Sequence, residues 1–228
     1  MNHNPPVRAY ILAGGKSSRF GSDKARVVIE GIPNLCYLAH RLEKLQLPTT
    51  VVSQSHSDYS DLGLRVIPDF EPGAGPLAGT ITALRDAKSH HVPWSLILTC
   101  DLLWHNDTWI HRLLTAIQSP ISPFQPTAFV RLFRSESFSP FPGLYHVDSW
   151  PHAQESWNRG VRSMRGWLQG NRLHYGVERS EGGDSIGPHS SSNVLPIDYV
   201  PVSAEDLPGS FNTSDELRTL RHRTGDHQ

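Results

Sequence analysis

Residues 10–25 read YILAGGKSSRFGSDKA: an apolar run, two glycines, then cations and hydroxyls in close succession. Such a string is suited to holding an anion. Gly14 and Gly15 let backbone N–H groups come close to a ligand. Lys16, Arg19 and Lys24 bring positive charge beside them, and Ser17 and Ser18 add hydroxyl donors. Two familiar phosphate loops do not fit. A G-x-x-x-x-G-K-[ST] loop ending on Gly15-Lys16-Ser17 needs a glycine where Tyr10 stands. A G-x-G-x-x-G fingerprint starting at Gly14 needs one at Lys16. The ingredients of an anion cradle therefore remain without either signature.

A second chemical feature lies far along the chain. Trp94–Cys100 (WSLILTC) is apolar and β-prone, and it runs directly into Asp101. A carboxylate at the end of one strand and a glycine-rich loop at the end of another need a scaffold that brings them together. The pattern supplies one. Val7–Ala13, Thr49–Ser53 and Leu64–Ile67 read as short buried strands. Leucines at 35, 38, 42 and 45 recur at helical spacing over 34–46. Pro76–Ala87 and Asp107–Ile117 also read as helices. This alternation predicts an α/β fold, a three-layer αβα sandwich around a mostly parallel Rossmann-like sheet. Ligands of such folds bind at the carboxyl ends of the strands, so both features can face one cleft.

Beyond residue 120 the signal weakens. Thr127–Phe133 and Gly143–Val147 read as strands, and Pro151–Gln169 as helix interrupted near Gly160. Residues 179–193 (RSEGGDSIGPHSSSN) read as a flexible loop. Thr213-Ser-Asp-Glu216 is a capping box opening a last helix. No internal repeat is evident. We read 1–228 as a single domain of two halves, about 1–105 with the glycine-rich loop and Asp101, and about 106–228 with the loop near 179–193.

Composition bounds the rest. The 228 residues carry 21 basic and 22 acidic side chains, which argues against a nucleic-acid coat. Two cysteines, Cys36 and Cys100, are too few for a disulfide framework and fit a reducing compartment. No window approaches the ~20 apolar residues of a membrane span. The apolar run near the start is shorter than the roughly 7–15 residues of a signal sequence. The expectation is a cytoplasmic protein that engages neither membrane nor nucleic acid.

From Leu12 to Lys24 the chain matches L-A-G-G-x-S-x-R-hydrophobic-G-x-D-K without a gap. That string resembles the nucleotidyltransferases that make molybdenum cofactor dinucleotides, most closely the molybdenum cofactor guanylyltransferase family. Val66-Ile-Pro-Asp69 followed by Gly75-Pro-Leu-Ala-Gly79, Thr99-Cys-Asp101 and Phe211-Asn-Thr-Ser-Asp-Glu-Leu217 resemble three further family segments in the right order. The resemblance implies Mg²⁺-dependent transfer of GMP from GTP to the terminal phosphate of molybdopterin, with release of pyrophosphate. It also implies hand-over to cofactor-accepting molybdoenzymes or their chaperones, and it makes the first half of the domain nucleotide-binding and the second acceptor-binding.

By the same resemblance, Leu12, Ala13 and Gly14 contact the nucleotide through backbone groups, and Gly15 approaches the triphosphate. Arg19 and Lys24 are catalytic cations, with Lys24 nearest the reacting phosphorus. Asp101 is catalytic as the Mg²⁺ ligand; a hard cation takes one or two carboxylates and completes its octahedron with phosphates and water. Asp69 contacts the guanosine. Gly75, with Pro76 and Gly79, shapes an anion-tolerant turn at a helix start. Asn212 lies near the cofactor cleft, and Arg162 matches a loose G-x-R stretch facing the pterin phosphate. Each has a plainer alternative: surface cations for Arg19 and Lys24, a helix cap for Asp101, a turn residue for Asp69, a helix-entry residue for Asn212.

Gly14 stands where cytidylyl relatives carry alanine, and the extra room suits a purine; hence GTP. Ser53 and Ser210 stand where the family commonly has asparagines, Ser53 at a nucleoside-binding place. Thr99 replaces a proline without evident consequence. Three rivals stay open: a CTP enzyme, a sugar-phosphate nucleotidyltransferase and a catalytically silent nucleotide-binding protein. The thirteen histidines form no tight ligand pair, Cys100 reads as a buried strand residue, and the six tryptophans as core.

Overall fold

The computed structural model describes residues 6–14, 23–117, 130–134, 139–170, 195–203 and 205–211. In chain order the strands and helices are β1 (Val7–Leu12), β2 (Val28–Ile29), β3 (Ile32–Pro33), α1 (Asn34–Lys44), β4 (Thr49–Ser53), β5 (Val66–Pro68), α2 (Pro76–Ser89), β6 (Trp94–Thr99), β7 (Leu102–Leu103), α3 (Thr108–Ala116), β8 (Val130–Arg134), β9 (Gly143–His146), α4 (Trp150–Asn158), α5 (Met164–Gly170), β10 (Ile197–Pro201) and β11 (Gly209–Ser210). Seven strands form one sheet in the order β10-β8-β9-β6-β1-β4-β5. All pair in parallel except β9, which runs antiparallel to both neighbours.

The layering follows from alternation along the strands. In β1, Ala9 and Ile11 point to one face, where Leu35, Leu38 and Leu42 of α1 and Trp109, Ile110 and Leu113 of α3 are buried. Tyr10 and Leu12 point to the other, against Leu77, Ile81 and Leu84 of α2, Ala153 and Trp157 of α4, and Trp167 and Leu168 of α5. Both faces of the sheet are thus covered by helices, the three-layer sandwich expected from the sequence. Covering both faces explains why β1 and β6 read as continuous apolar runs.

One strand of the sheet, the edge strand β10, has no counterpart in the sequence reading; the other differences are local. The strand expected over Leu64–Ile67 begins at Val66 and ends at Pro68. The helical stretch expected over Pro151–Gln169, with its interruption near Gly160, is found as α4 and α5, divided at Gly160, whose φ is +89°. The two-residue strands β2, β3, β7 and β11 carry no periodic signal of their own. The capping box at Thr213 and the 179–193 loop lie outside the described residues. No helix among the described residues is long and apolar enough to cross a membrane.

Candidate active site

Because β1, β4, β5 and β6 run parallel, their carboxyl ends share one edge of the sheet. Leu12 lies opposite Val52 on one side and Thr99 on the other. The ladder continues one step past the strands: Cys100 donates its N–H to the Leu12 carbonyl (3.1 Å) and Ala13 to that of Val52 (2.9 Å). Asp69 does the same to Ser53 (2.6 Å). Leu12–Gly14, Ser53, Asp69 and Asp101 therefore stand side by side along four adjacent strand ends.

Lys24 arrives from a single 3-10 turn over Lys24–Arg26. Asp23 caps this turn by accepting the Ala25 N–H (3.0 Å), which anchors its start. The Lys24 ammonium lies 3.3 Å from Asp101 Oδ2, and neither side chain is more than 21% exposed. Thr99 donates its hydroxyl to the other oxygen, Oδ1, at 2.6 Å. After Asp101 the chain enters β7 rather than a helix, so the helix-cap alternative is ruled out. Thr99, which looked inconsequential in the sequence, orients the carboxylate. Its only signal was a hydroxyl residue two positions before an aspartate.

The donor set suits Mg²⁺ of the kind that is bound jointly with a substrate. Asp101 offers hard oxygen at a partly exposed tip. Among the described residues no cluster of three or more His, Cys, Asp or Glu side chains could cage a metal alone. One protein carboxylate with phosphates and water completing the shell is a normal Mg²⁺ arrangement.

Ser53 is buried, and its hydroxyl lies 2.8 Å from both the Ala13 carbonyl and Asp58 Oδ2. A hydroxyl has one proton to donate, and both of these neighbours ordinarily accept. The side chain braces the β1 tip from within the protein, so its hydroxyl is already engaged. Asp58 was not singled out from the sequence. At Gly14 an added Cβ would meet Ser53 Cα and Gln54 Cγ at 3.7 Å, an ordinary contact. The fold's own packing does not require glycine there.

On the next strand end, Asp69 Oδ1 accepts from Thr82 Oγ1 (2.9 Å) and from the Glu71 N–H (3.4 Å). Its Oδ2 points towards Gly79, where a Cβ would lie 3.7 Å from it and 3.1 Å from Leu12 Cδ2. Glycine at 79 lets the first turn of α2 press onto Leu12 and Asp69. Gly75 precedes that helix at φ +97°, ψ −178°, a conformation open to glycine almost alone. The G-P-L-A-G segment is thus shaped by backbone need at both of its ends.

Burial pushes the Asp69 carboxyl above the usual carboxylate range, with its hydrogen bonds opposing the shift. A carboxyl with a raised folded-state pKa favours the protonated form on folding, so its stability contribution falls as pH rises through that titration. An asparagine in its place would keep an acceptor for Thr82 without the charge. Asp69→Asn is therefore expected to raise the thermal midpoint at neutral pH. The advantage should shrink as pH falls through the Asp69 titration. Midpoints measured across a pH series check this; a variant less stable at every pH contradicts it.

Arg162 packs its guanidinium over the Trp157 ring at 3.9 Å and donates to the Trp157 carbonyl (2.7 Å). Its own carbonyl lies 3.8 Å from a Cβ placed on Gly75, so it borders the α2 entrance. Gly15, Arg19 and Asn212 lie outside the described residues. Cys100 is no nucleophile: burial, then the nearby Asp101 charge, push its thiol up to about 12, so thiolate is scarce at neutral pH.

Residues 9–175 match the family model for the MobA-like NTP transferase domain. A probable molybdenum cofactor guanylyltransferase of Deinococcus radiodurans is 32% identical over 199 residues, covering 87% of this chain and 94% of that protein. A molybdenum cofactor guanylyltransferase of Serratia proteamaculans is 27% identical over 161 residues, covering 69% and 77%. Among solved structures, molybdopterin-guanine dinucleotide biosynthesis protein A of Archaeoglobus fulgidus superposes with a TM-score of 0.67 at 17% identity, covering 96% of this chain and 98% of its own. That last likeness establishes the fold. The family match over most of the chain, the relative aligned almost end to end and the strand-tip cluster agree: this chain belongs to the MobA-like NTP transferase family of nucleotidyltransferases.

Proposed function

We propose that this protein transfers GMP from GTP to the terminal phosphate of molybdopterin, releasing pyrophosphate, in a Mg²⁺-dependent reaction. The observation that carries the reading is the Lys24–Asp101 pair, 3.3 Å apart, beside the Leu12–Gly14 tip. The relatives' names supply the guanylyl group and the cofactor acceptor.

In the reaction an acceptor phosphate oxygen forms a bond to the α-phosphorus of GTP, and the bond from that phosphorus to the bridging oxygen of pyrophosphate breaks. Two polyanions must approach, and charge then moves onto the leaving group. Asp101 would hold Mg²⁺, which when bound would neutralise charge on the phosphates. Lys24 is a compact cation on a flexible stem, suited to follow the charge as it shifts. Main-chain groups of Leu12–Gly14 that the sheet leaves unused would meet the nucleotide, Gly15 would approach the triphosphate, and Arg19 would add a second cation. Asp69 Oδ2 would accept from a guanosine donor, which explains retaining a charge where burial opposes it. Gly14 leaves room for the purine, since the fold itself would tolerate a methyl there. Arg162, at the α2 entrance, would meet the acceptor.

The test is incubation of the protein with molybdopterin, Mg²⁺ and each nucleoside triphosphate, with products read by mass. A guanine dinucleotide, formed only with GTP and Mg²⁺, is expected. A cytosine dinucleotide supports the cytidylyl rival. GTP binding without any Mg²⁺-dependent product supports a silent binder.

A further inference from the structure

We infer that Asn34 is a positioning residue that ties the Lys24 turn to the Asp101 loop and thereby sets the site's affinity for its divalent cation. This rests on the reading above that Asp101 bears the metal.

Asn34 is the first residue of α1 and is fully buried. Its Nδ2 donates to the carbonyls of Cys100 (2.8 Å) and Leu102 (3.3 Å), the two that flank Asp101. Two carbonyls facing one terminal group require the nitrogen there, so the amide orientation follows from its partners. The main chain of Asn34 serves the other catalytic segment. Its backbone N–H donates to the Val27 carbonyl at 2.7 Å, and Val27 closes the turn that presents Lys24. One residue thus grips both segments, which are otherwise distant in the chain.

The rest of the Asp101 loop is held at its margins. Cys100 bonds back to Leu12, and Phe211 donates to the Asp101 carbonyl at 3.1 Å. Only Asn34 closes the 100–102 arch on itself among the described residues. Its Oδ1 has no hydrogen-bond partner there. An unmet buried acceptor is a burden that packing alone would not retain, since an apolar side chain of the same branched shape carries none. Local costs of this kind are expected where function sets the residue.

The test replaces Asn34 with leucine and measures Mn²⁺ binding to the protein–GTP complex by electron paramagnetic resonance, alongside the Mg²⁺ dependence of turnover. N34L is expected to stay folded and to bind GTP in metal-free buffer like the wild type. It is expected to bind Mn²⁺ about 10–100-fold more weakly, the usual effect of removing a group that orients a ligand. Turnover should recover in part at high Mg²⁺, which a merely structural role would not produce. Folded N34L with wild-type Mn²⁺ affinity overturns the inference. If N34L does not fold, N34S, which keeps one hydroxyl donor, serves instead. It is expected to lose metal affinity to a lesser degree, and wild-type affinity in folded N34S overturns the inference. Wild-type protein that takes up no Mn²⁺ with GTP overturns the functional reading as well; wild-type uptake matched by the variants overturns this inference only.

Discussion

Asp101→Asn is expected to lower turnover by about 10²–10³-fold or more, the scale on which one lost electrostatic stabiliser acts at a charged transition state. The substitution is nearly isosteric, and asparagine can still accept the Thr99 hydroxyl now bound to Oδ1. What disappears is the negative charge that would hold Mg²⁺ and that now faces Lys24 at 3.3 Å. Residual turnover should therefore be insensitive to Mg²⁺. The fold should survive. The pair is neither surface-exposed nor sealed, so its loss should cost on the order of 1–3 kcal/mol, between the limits for exposed and buried pairs. Steady-state rates over a Mg²⁺ series, with a thermal midpoint as the folding control, check both parts. Full activity in the variant would remove Asp101 from the metal role.

Lys24→Met should be comparably damaging, with kcat/KM for GTP down by about 10²–10³-fold. Methionine keeps much of the apolar stem, so lost packing is a minor part of the effect. Lys24→Arg should restore only part of the loss, because a planar fork does not replace a point charge at a site built for one. The double variant carries the sharper test. If Lys24 and Asp101 act on the same polyphosphate as a unit, K24M/D101N loses much less than the product of the single losses. Strictly multiplicative losses would mean that the two residues serve separate steps.

Much of the scaffold was legible because local chemistry decides it. Tyr10–Leu12 and Leu96–Leu98 are short apolar runs that end close to glycine or aspartate, and both lie in central strands. The leucine spacing of α1 placed that helix correctly. Its boundary fell two residues short of the expected end because the Leu45 N–H closes the helix on the carbonyl of Leu42. The direction of β9 was not legible. Gly143–His146 reads as a strand either way, and only pairing between β6 and β8 makes it antiparallel.

At the site, Lys24 and Asp101 were found as separate motif residues. Ser53 was read from its place in the motif as facing a nucleoside, yet its hydroxyl is turned onto Ala13 and Asp58. The roles of Thr99 and Asn34 were not legible, because nothing local distinguishes them. Each matters only through a partner, and Asn34 reaches the Asp101 loop across 66 residues of sequence.

The sequence by itself determined the family and most of the longer strands and helices, though not β10 or the two-residue strands, because short-range alternation and glycine–charge strings report on their own neighbourhood. Tertiary structure alone decided that β1 lies next to β6, that 77 positions of chain close to 3.3 Å between an ammonium and a carboxylate, and that a buried amide fastens both. Strand order comes from burying two faces of a whole sheet at once, and no window of residues contains that condition.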